Sequence, residues 1–81
     1  MQVTVSFYSY LKDLTGCDRV AQGMPEKSTL NDLVETIGQR FPRLNPMWTS
    51  ILMAVGVDYQ DRAYILENGD EISFFPPVQG G

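Results

Sequence analysis

The chain contains no histidine and a single cysteine, Cys17, among its 81 residues. Without histidine there are no Ser-His or Cys-His catalytic pairs and no zinc sites of the usual histidine and cysteine kind. One thiol cannot form an intramolecular disulfide. Cys17 follows Gly16 in a polar stretch with only Lys12 and Arg19 nearby to lower its pKa, so it reads as an incidental thiol. Positive charge is scarce: six Lys and Arg stand against ten Asp and Glu, a net charge of −4. Such a chain repels a phosphate backbone, which argues against nucleic acid as partner; a basic protein surface remains compatible. No apolar run approaches the ~20 residues of a membrane span. Met1-Gln2-Val3-Thr4 lacks the basic region of a secretory signal, so a cytoplasmic location is expected, with no membrane partner. A chain this short buries only about 60% of its unfolded surface. That leaves no room for a deep, self-contained active site.

What is present is patterned. Val3, Val5 and Phe7 alternate with Gln2, Thr4, Ser6 and Tyr8, the period of two of a half-buried strand over Gln2–Tyr8. The odd positions face the core, which puts Tyr8 on the opposite face. Tyr10–Leu14 reads as one helical turn stopped at Gly16. Asp18–Ala21 is a weak second strand, broken by Gly23-Met24-Pro25. Thr29, with Asp32 three residues on, has the form of a capping box. Leu30, Leu33, Val34, Ile37 and Phe41 then follow a helical stripe. Gly38 weakens that helix, and Pro42 ends it near Phe41. A Pro-containing loop over Arg43–Thr49 includes a short helical turn at Pro46-Met47-Trp48. Ile51–Val57 suits a strand, Asp58–Asp61 a turn, Ala63–Ile65 a short segment and Glu67–Asp70 an Asn-Gly turn. Glu71–Phe75 is the last strand. One main helix with one apolar stripe must be covered by a sheet. The order therefore predicts an α+β fold, a β-grasp with a mixed sheet and the main helix packed across it. The expected division is a domain over residues 1–75 and an extended tail over residues 76–81.

The faces of the last strand matter for function. Ile72 and Phe74 share one face, Ser73 and Phe75 the other. With the first pair on the core, Phe75 points outward. The first and last strands of this architecture are neighbours, so Tyr8 and Phe75 are expected together at the root of the tail. Exposed aromatic clusters mark interfaces. Pro76 and Pro77 cannot donate to a ladder and favour extended polyproline geometry. From Pro76 to Gly81, at ~3.1–3.3 Å per residue, the arm reaches ~20 Å. Its prolines reduce the entropy lost when a partner grips it. Gly80 and Gly81 carry no Cβ, so the Gly81 carboxylate can thread a channel that any side chain would block. The expected device is a rigid domain that docks and an arm whose terminal carboxyl enters chemistry belonging to the partner.

The run Gly69-Asp70-Glu71-Ile72-Ser73-Phe74-Phe75-Pro76-Pro77-Val78-Gln79-Gly80-Gly81 resembles the end of the small subunit of molybdopterin synthase, a family of ubiquitin-like sulfur carriers. The family's ending reads G-D-E-(apolar)-x-F-x-P-P-V-x-G-G. Tyr8–Gly16, with Leu11, Leu14 and Gly16, also resembles its N-terminal segment. The resemblance implies a non-catalytic subunit with no bound cofactor. An E1-like enzyme uses ATP to adenylate the Gly81 carboxylate, and a sulfur donor protein converts it to a thiocarboxylate. The tail then enters the large subunit of molybdopterin synthase and gives its sulfur to cyclic pyranopterin monophosphate. A heterotetramer of two carriers and two large subunits is implied as well. Gly80 supplies slimness, Gln79 belongs to the same tail, and Phe75, Pro76, Pro77 and Val78 match the partner-contacting stretch. Tyr8 is a further contact. Asp70 and Glu71 meet basic partner residues or form a solvated turn. Two departures bear on partner contacts: Gly56-Val57-Asp58 stands where an Asn-containing turn is common, and Lys12 where arginine is expected.

Three other readings share parts of this pattern. A sulfur carrier for the thiazole of thiamin has the same Gly-Gly, but Phe-Phe-Pro-Pro-Val favours the molybdopterin system. A ubiquitin-like protein modifier uses the same adenylate with an amine nucleophile. A binding module with an unreactive tail needs neither.

Overall fold

The computed structural model describes residues 1–77. Strand β1 (Gln2–Phe7) buries Val3, Val5 and Phe7 and leaves the alternate residues outward. Helix α1 (Leu11–Thr15) ends at Gly16, whose φ of 76° is the left-handed cap that glycine adopts without strain. Strand β2 (Arg19–Gly23) returns antiparallel to β1. Helix α2 (Leu30–Arg40) follows, then a 3-10 helix over Pro42–Met47. Strands β3 (Leu52–Val55), β4 (Asp58–Tyr59) and β5 (Glu71–Phe75) complete the regular structure of the described residues.

The sheet order is β2-β1-β5-β3-β4. β1 and β5 run parallel in the middle, and every other pairing is antiparallel. The α+β reading and the β-grasp are borne out, including the adjacency of first and last strands. The core lies between the sheet's inner face and α2. Val3, Val5, Phe7, Met53, Ile72 and Phe74 meet Leu30, Leu33, Val34 and Ile37 in one cluster. Phe7 packs edge-on against both Phe41 and Phe74, at centroid distances of 5.6 and 6.0 Å. The start of α2 is fixed as its sequence demands. Thr29 Oγ1 accepts from the Asp32 amide at 3.2 Å, and the Asp32 carboxylate accepts from the Thr29 amide at 2.9 Å. Caps of this kind contribute about 1 kcal/mol.

Several boundaries differ from the sequence reading. β1 stops at Phe7, although the Tyr8 amide still donates to Phe74 O at 3.2 Å. β2 starts and ends later than Asp18–Ala21 and includes Gly23. The helical turn expected at Pro46–Trp48 is a longer 3-10 helix entered at Pro42. The strand expected over Ile51–Val57 is cut to Leu52–Val55, because Gly56 turns with φ 61° and Val57 stands at the tip, 94% exposed. The expected turn at Asp58–Asp61 is therefore partly strand: Asp58 and Tyr59 pair back onto Val55 and Ala54. Ala63–Ile65 forms only one bridge, Ile65 to Thr29.

The long connection from β4 to β5 is held by polar groups. Arg62 donates to Trp48 O and to Asn31 Oδ1, and its guanidinium lies 4.8 Å from the Trp48 ring centroid. Asp70 Oδ2 accepts from the Tyr64 hydroxyl at 3.0 Å and from the Glu67 amide at 2.8 Å. Asn68 Oδ1 accepts from the Gln2 amide, tying the turn to β1.

Candidate functional site

β5 delivers its last residue, Phe75, to the outer face, away from α2. On one side β1 runs out at Phe7, and Tyr8 lies directly beyond it. The Tyr8 and Phe75 rings stack, with centroids 4.7 Å apart and planes 20° from parallel. On the other side Leu52 pairs with Phe75 along β3, and the Tyr59 ring approaches Phe75 with a centroid distance of 6.0 Å and a 53° tilt. Tyr8 is 43% exposed and Tyr59 68%. The root of the tail is thus an aromatic patch on a sheet face that α2 leaves uncovered.

The sequence reading placed Phe75 outward and exposed. It does point outward, but it is half-buried, because Tyr8 and Tyr59 lean on it. Tyr59 and Leu52 are members of the patch that the reading missed. The missing signal was the Gly56 turn: with the hairpin closed there, Leu52, Ala54 and Tyr59 fall on Phe75's face by alternation alone. Beside the patch, Ile51, Leu52, Met53, Tyr59 and Ala63 line an open apolar groove of about 810 Å³. Pro76 and Pro77 follow the patch and are half-buried. Val78, Gln79, Gly80 and Gly81, named above as the reactive tail, lie outside the described residues.

The two acidic residues before β5 have separate fates. Asp70 is engaged inside the chain by the Tyr64 hydroxyl and the Glu67 amide, so its carboxylate holds the turn. Burial, then the hydrogen bond to Asp70 and the negative charges of Asp70 and Glu67, raise the Tyr64 phenol above its ordinary value of 10.0. Glu71 is exposed and lies 3.4 Å from exposed Arg19, a pair that contributes little in water. Among the described residues no helix is long and apolar enough to cross a membrane.

The model of the ThiS family matches residues 5–81, nearly the whole chain. The chain belongs to the ThiS family. Curated relatives bear out the resemblance to the small subunit of molybdopterin synthase. The human molybdopterin synthase sulfur carrier subunit is 30% identical over 83 residues, covering 99% of this chain and 94% of the human protein. Among solved structures, a complex of subunits 1 and 2 of the molybdopterin-converting factor from Helicobacter pylori contains a chain 27% identical, with full coverage of both chains and a TM-score of 0.72. SAMP1 from Haloferax volcanii shares the fold, with a TM-score of 0.89 over all of both chains at 19% identity. In this ThiS-family chain Gly56-Val57-Asp58 forms the hairpin turn that pairs Tyr59 with Ala54 on β3.

Proposed function

We propose that this chain is the sulfur carrier subunit of a molybdopterin synthase and that Gly81 carries the sulfur as a thiocarboxylate. The observation that carries the reading is the aromatic patch at the root of the tail. Tyr8, Phe75 and Leu52 form a docking face, with Tyr59 leaning on Phe75 behind it, where the chain becomes Pro76-Pro77-Val78-Gln79-Gly80-Gly81. Family membership through residue 81 supports the same assignment.

The chemistry follows from the carboxyl group. The Gly81 carboxylate attacks the α-phosphate of ATP on an E1-like enzyme and releases pyrophosphate. Sulfide-level sulfur delivered by a donor protein attacks the acyl carbon, AMP leaves, and the thiocarboxylate remains. Thiocarboxylate sulfur is a far better nucleophile than carboxylate oxygen, and a closed partner pocket shields it from water. In the large subunit the thiocarboxylate sulfur attacks a side-chain carbon of cyclic pyranopterin monophosphate, a carbon–sulfur bond replaces a carbon–oxygen bond, and that oxygen departs with the leaving group. Water then cleaves the acyl–sulfur bond and restores the Gly81 carboxylate. A dithiolene has two sulfurs, so two carrier cycles are needed. The domain over residues 1–75 serves as scaffold and residues 76–81 as the reactive arm.

Reconstitution tests this. Chain bearing a terminal thiocarboxylate, mixed with the large subunit and the pterin precursor, should yield dithiolene product. The unmodified chain and a chain lacking Gly81 should yield none. Product from the unmodified chain would refute the carrier role. Isopeptide conjugates to lysines, with no product, would assign the chain as a protein modifier instead.

A further inference from the structure

Phe75 is the last residue of the sheet, and its ladder is one-sided. The parallel pairing of β1 with β5 ends at Phe7 and Phe74. Phe75 therefore has a strand partner only in Leu52. A terminal residue held on one side frays readily. The last backbone bond on the β1 side runs from the Tyr8 amide to Phe74 O at 3.2 Å, and beyond it two rings hold Phe75. Tyr8 stacks on Phe75 from the β1 side, and Tyr59 leans on it from the β3 side.

Tyr59 gets there by crossing a strand. It pairs with Ala54, and Ala54 pairs with Ser73, so Tyr59 and Phe75 lie on opposite sides of β3 and offset along it. The small side chain of Ala54 leaves room for the rings to meet above it. Ala54 is only 6% exposed although it lies on the face away from α2, as expected beneath such a cover.

We propose that Tyr59 is a positioning residue for the tail. With Tyr8 it clasps Phe75, keeps β5 paired to its final residue, and so fixes where and in which direction Pro76 and Pro77 leave the domain. The consequence for transfer rests on the sulfur-carrier reading; the clasp itself does not. Tyr59 acts through Phe75, and its ring rather than its hydroxyl makes the contact.

The test has one arm without a partner and one with it. In the free chain, hydrogen exchange at the Phe75 amide should accelerate roughly two- to tenfold in Tyr59→Ala, the range of an aromatic pair. Tyr59→Phe should restore the parent rate. Val57→Ala, on the same hairpin but at its exposed tip, should leave the rate unchanged. Unchanged exchange in Tyr59→Ala overturns the clasp. With the molybdopterin synthase large subunit, Tyr59→Ala should weaken affinity by a similar factor in the parent and by nothing in a Phe75→Leu background. An equal loss in both backgrounds would make Tyr59 a direct partner contact and overturn the proposal. Accelerated exchange with unchanged affinity in every variant would overturn the positioning role, whereas no binding of the parent chain to the large subunit would count against the sulfur-carrier reading and leave the clasp to the exchange arm.

Discussion

The ring of Tyr8 lies on the ring of Phe75, 4.7 Å between centroids and 20° from parallel, where the parallel first and last strands end together. One residue comes from the start of the chain and the other from the root of the tail. The stack therefore ties the tail's point of departure to the most deeply buried strand pair. It also leaves apolar ring area in water, which a partner can cover.

Tyr8→Ala should therefore weaken binding to the large subunit more than it weakens the fold. Truncation of an exposed interface aromatic typically costs 1–2 kcal/mol of binding, roughly five- to thirtyfold in Kd. Tyr8→Phe should bind almost as the parent does, because the stack needs the ring. Titration calorimetry with the large subunit, paired with thermal melts, checks both. Phe75→Ala should lower both affinity and melting temperature, since Phe75 is half-buried beneath two rings.

The tail should be intolerant of bulk without any consequence for folding. One residue added after Gly81, or Gly80→Leu, should abolish sulfur transfer and leave the melting temperature within about 1 °C, as the proposed division between scaffold and arm requires. Transfer assays and calorimetric melts on the same preparations decide it. A collapse of the fold in either variant would undo the division between scaffold and arm.

Tyr64→Phe should destabilise the chain by about 1 kcal/mol at neutral pH, the net worth of one side-chain hydrogen bond. The pH dependence has a definite sign. The Tyr64 phenol is raised above 10.0 in the folded chain, so folding favours its protonated form. That stabilisation is fully present below the ordinary tyrosine range and is lost as pH rises through the shifted value. The stability gap between parent and Tyr64→Phe should accordingly close in strongly alkaline solution. Urea titrations at neutral pH and above pH 10 measure it.

Gly38 sits inside α2, where alanine would ordinarily gain about 1 kcal/mol of helix propensity. A Cβ there would stand 2.7 Å from Asn45 Oδ1, so the Asn45 amide must move. Gly38→Ala should therefore gain little alone. In an Asn45→Ala background it should stabilise by about 1 kcal/mol, a coupling that a double-mutant cycle reads directly.

Local signals made much of this legible in the sequence. The alternation of Val3, Val5 and Phe7, the Thr29 and Asp32 cap, and the bounds of Glu71–Phe75 are set by neighbouring residues, and all three appear as expected. The Tyr8–Phe75 juxtaposition followed from counting faces on two adjacent strands. What was misread depended on distant partners or on composition that misleads. The polar cluster Asp58–Asp61 looks like a turn, yet the chain turns at Gly56 and Val57, with an apolar residue at the exposed tip. That single displacement hid Tyr59. Asp70 looks like a solvated turn residue until Tyr64 reaches it from six residues away. Gly38 looks like a helix defect until Asn45, on the following 3-10 helix, is seen against it.

The most direct test of the central claim is the intact mass of the chain after incubation with its host extract, ATP and a sulfide source. The expected result is a gain equal to replacing one oxygen by sulfur, mapped by fragmentation to Gly81. No such gain, in an extract that converts a known sulfur carrier, would contradict the account, and high-mass covalent conjugates in its place would make the chain a modifier.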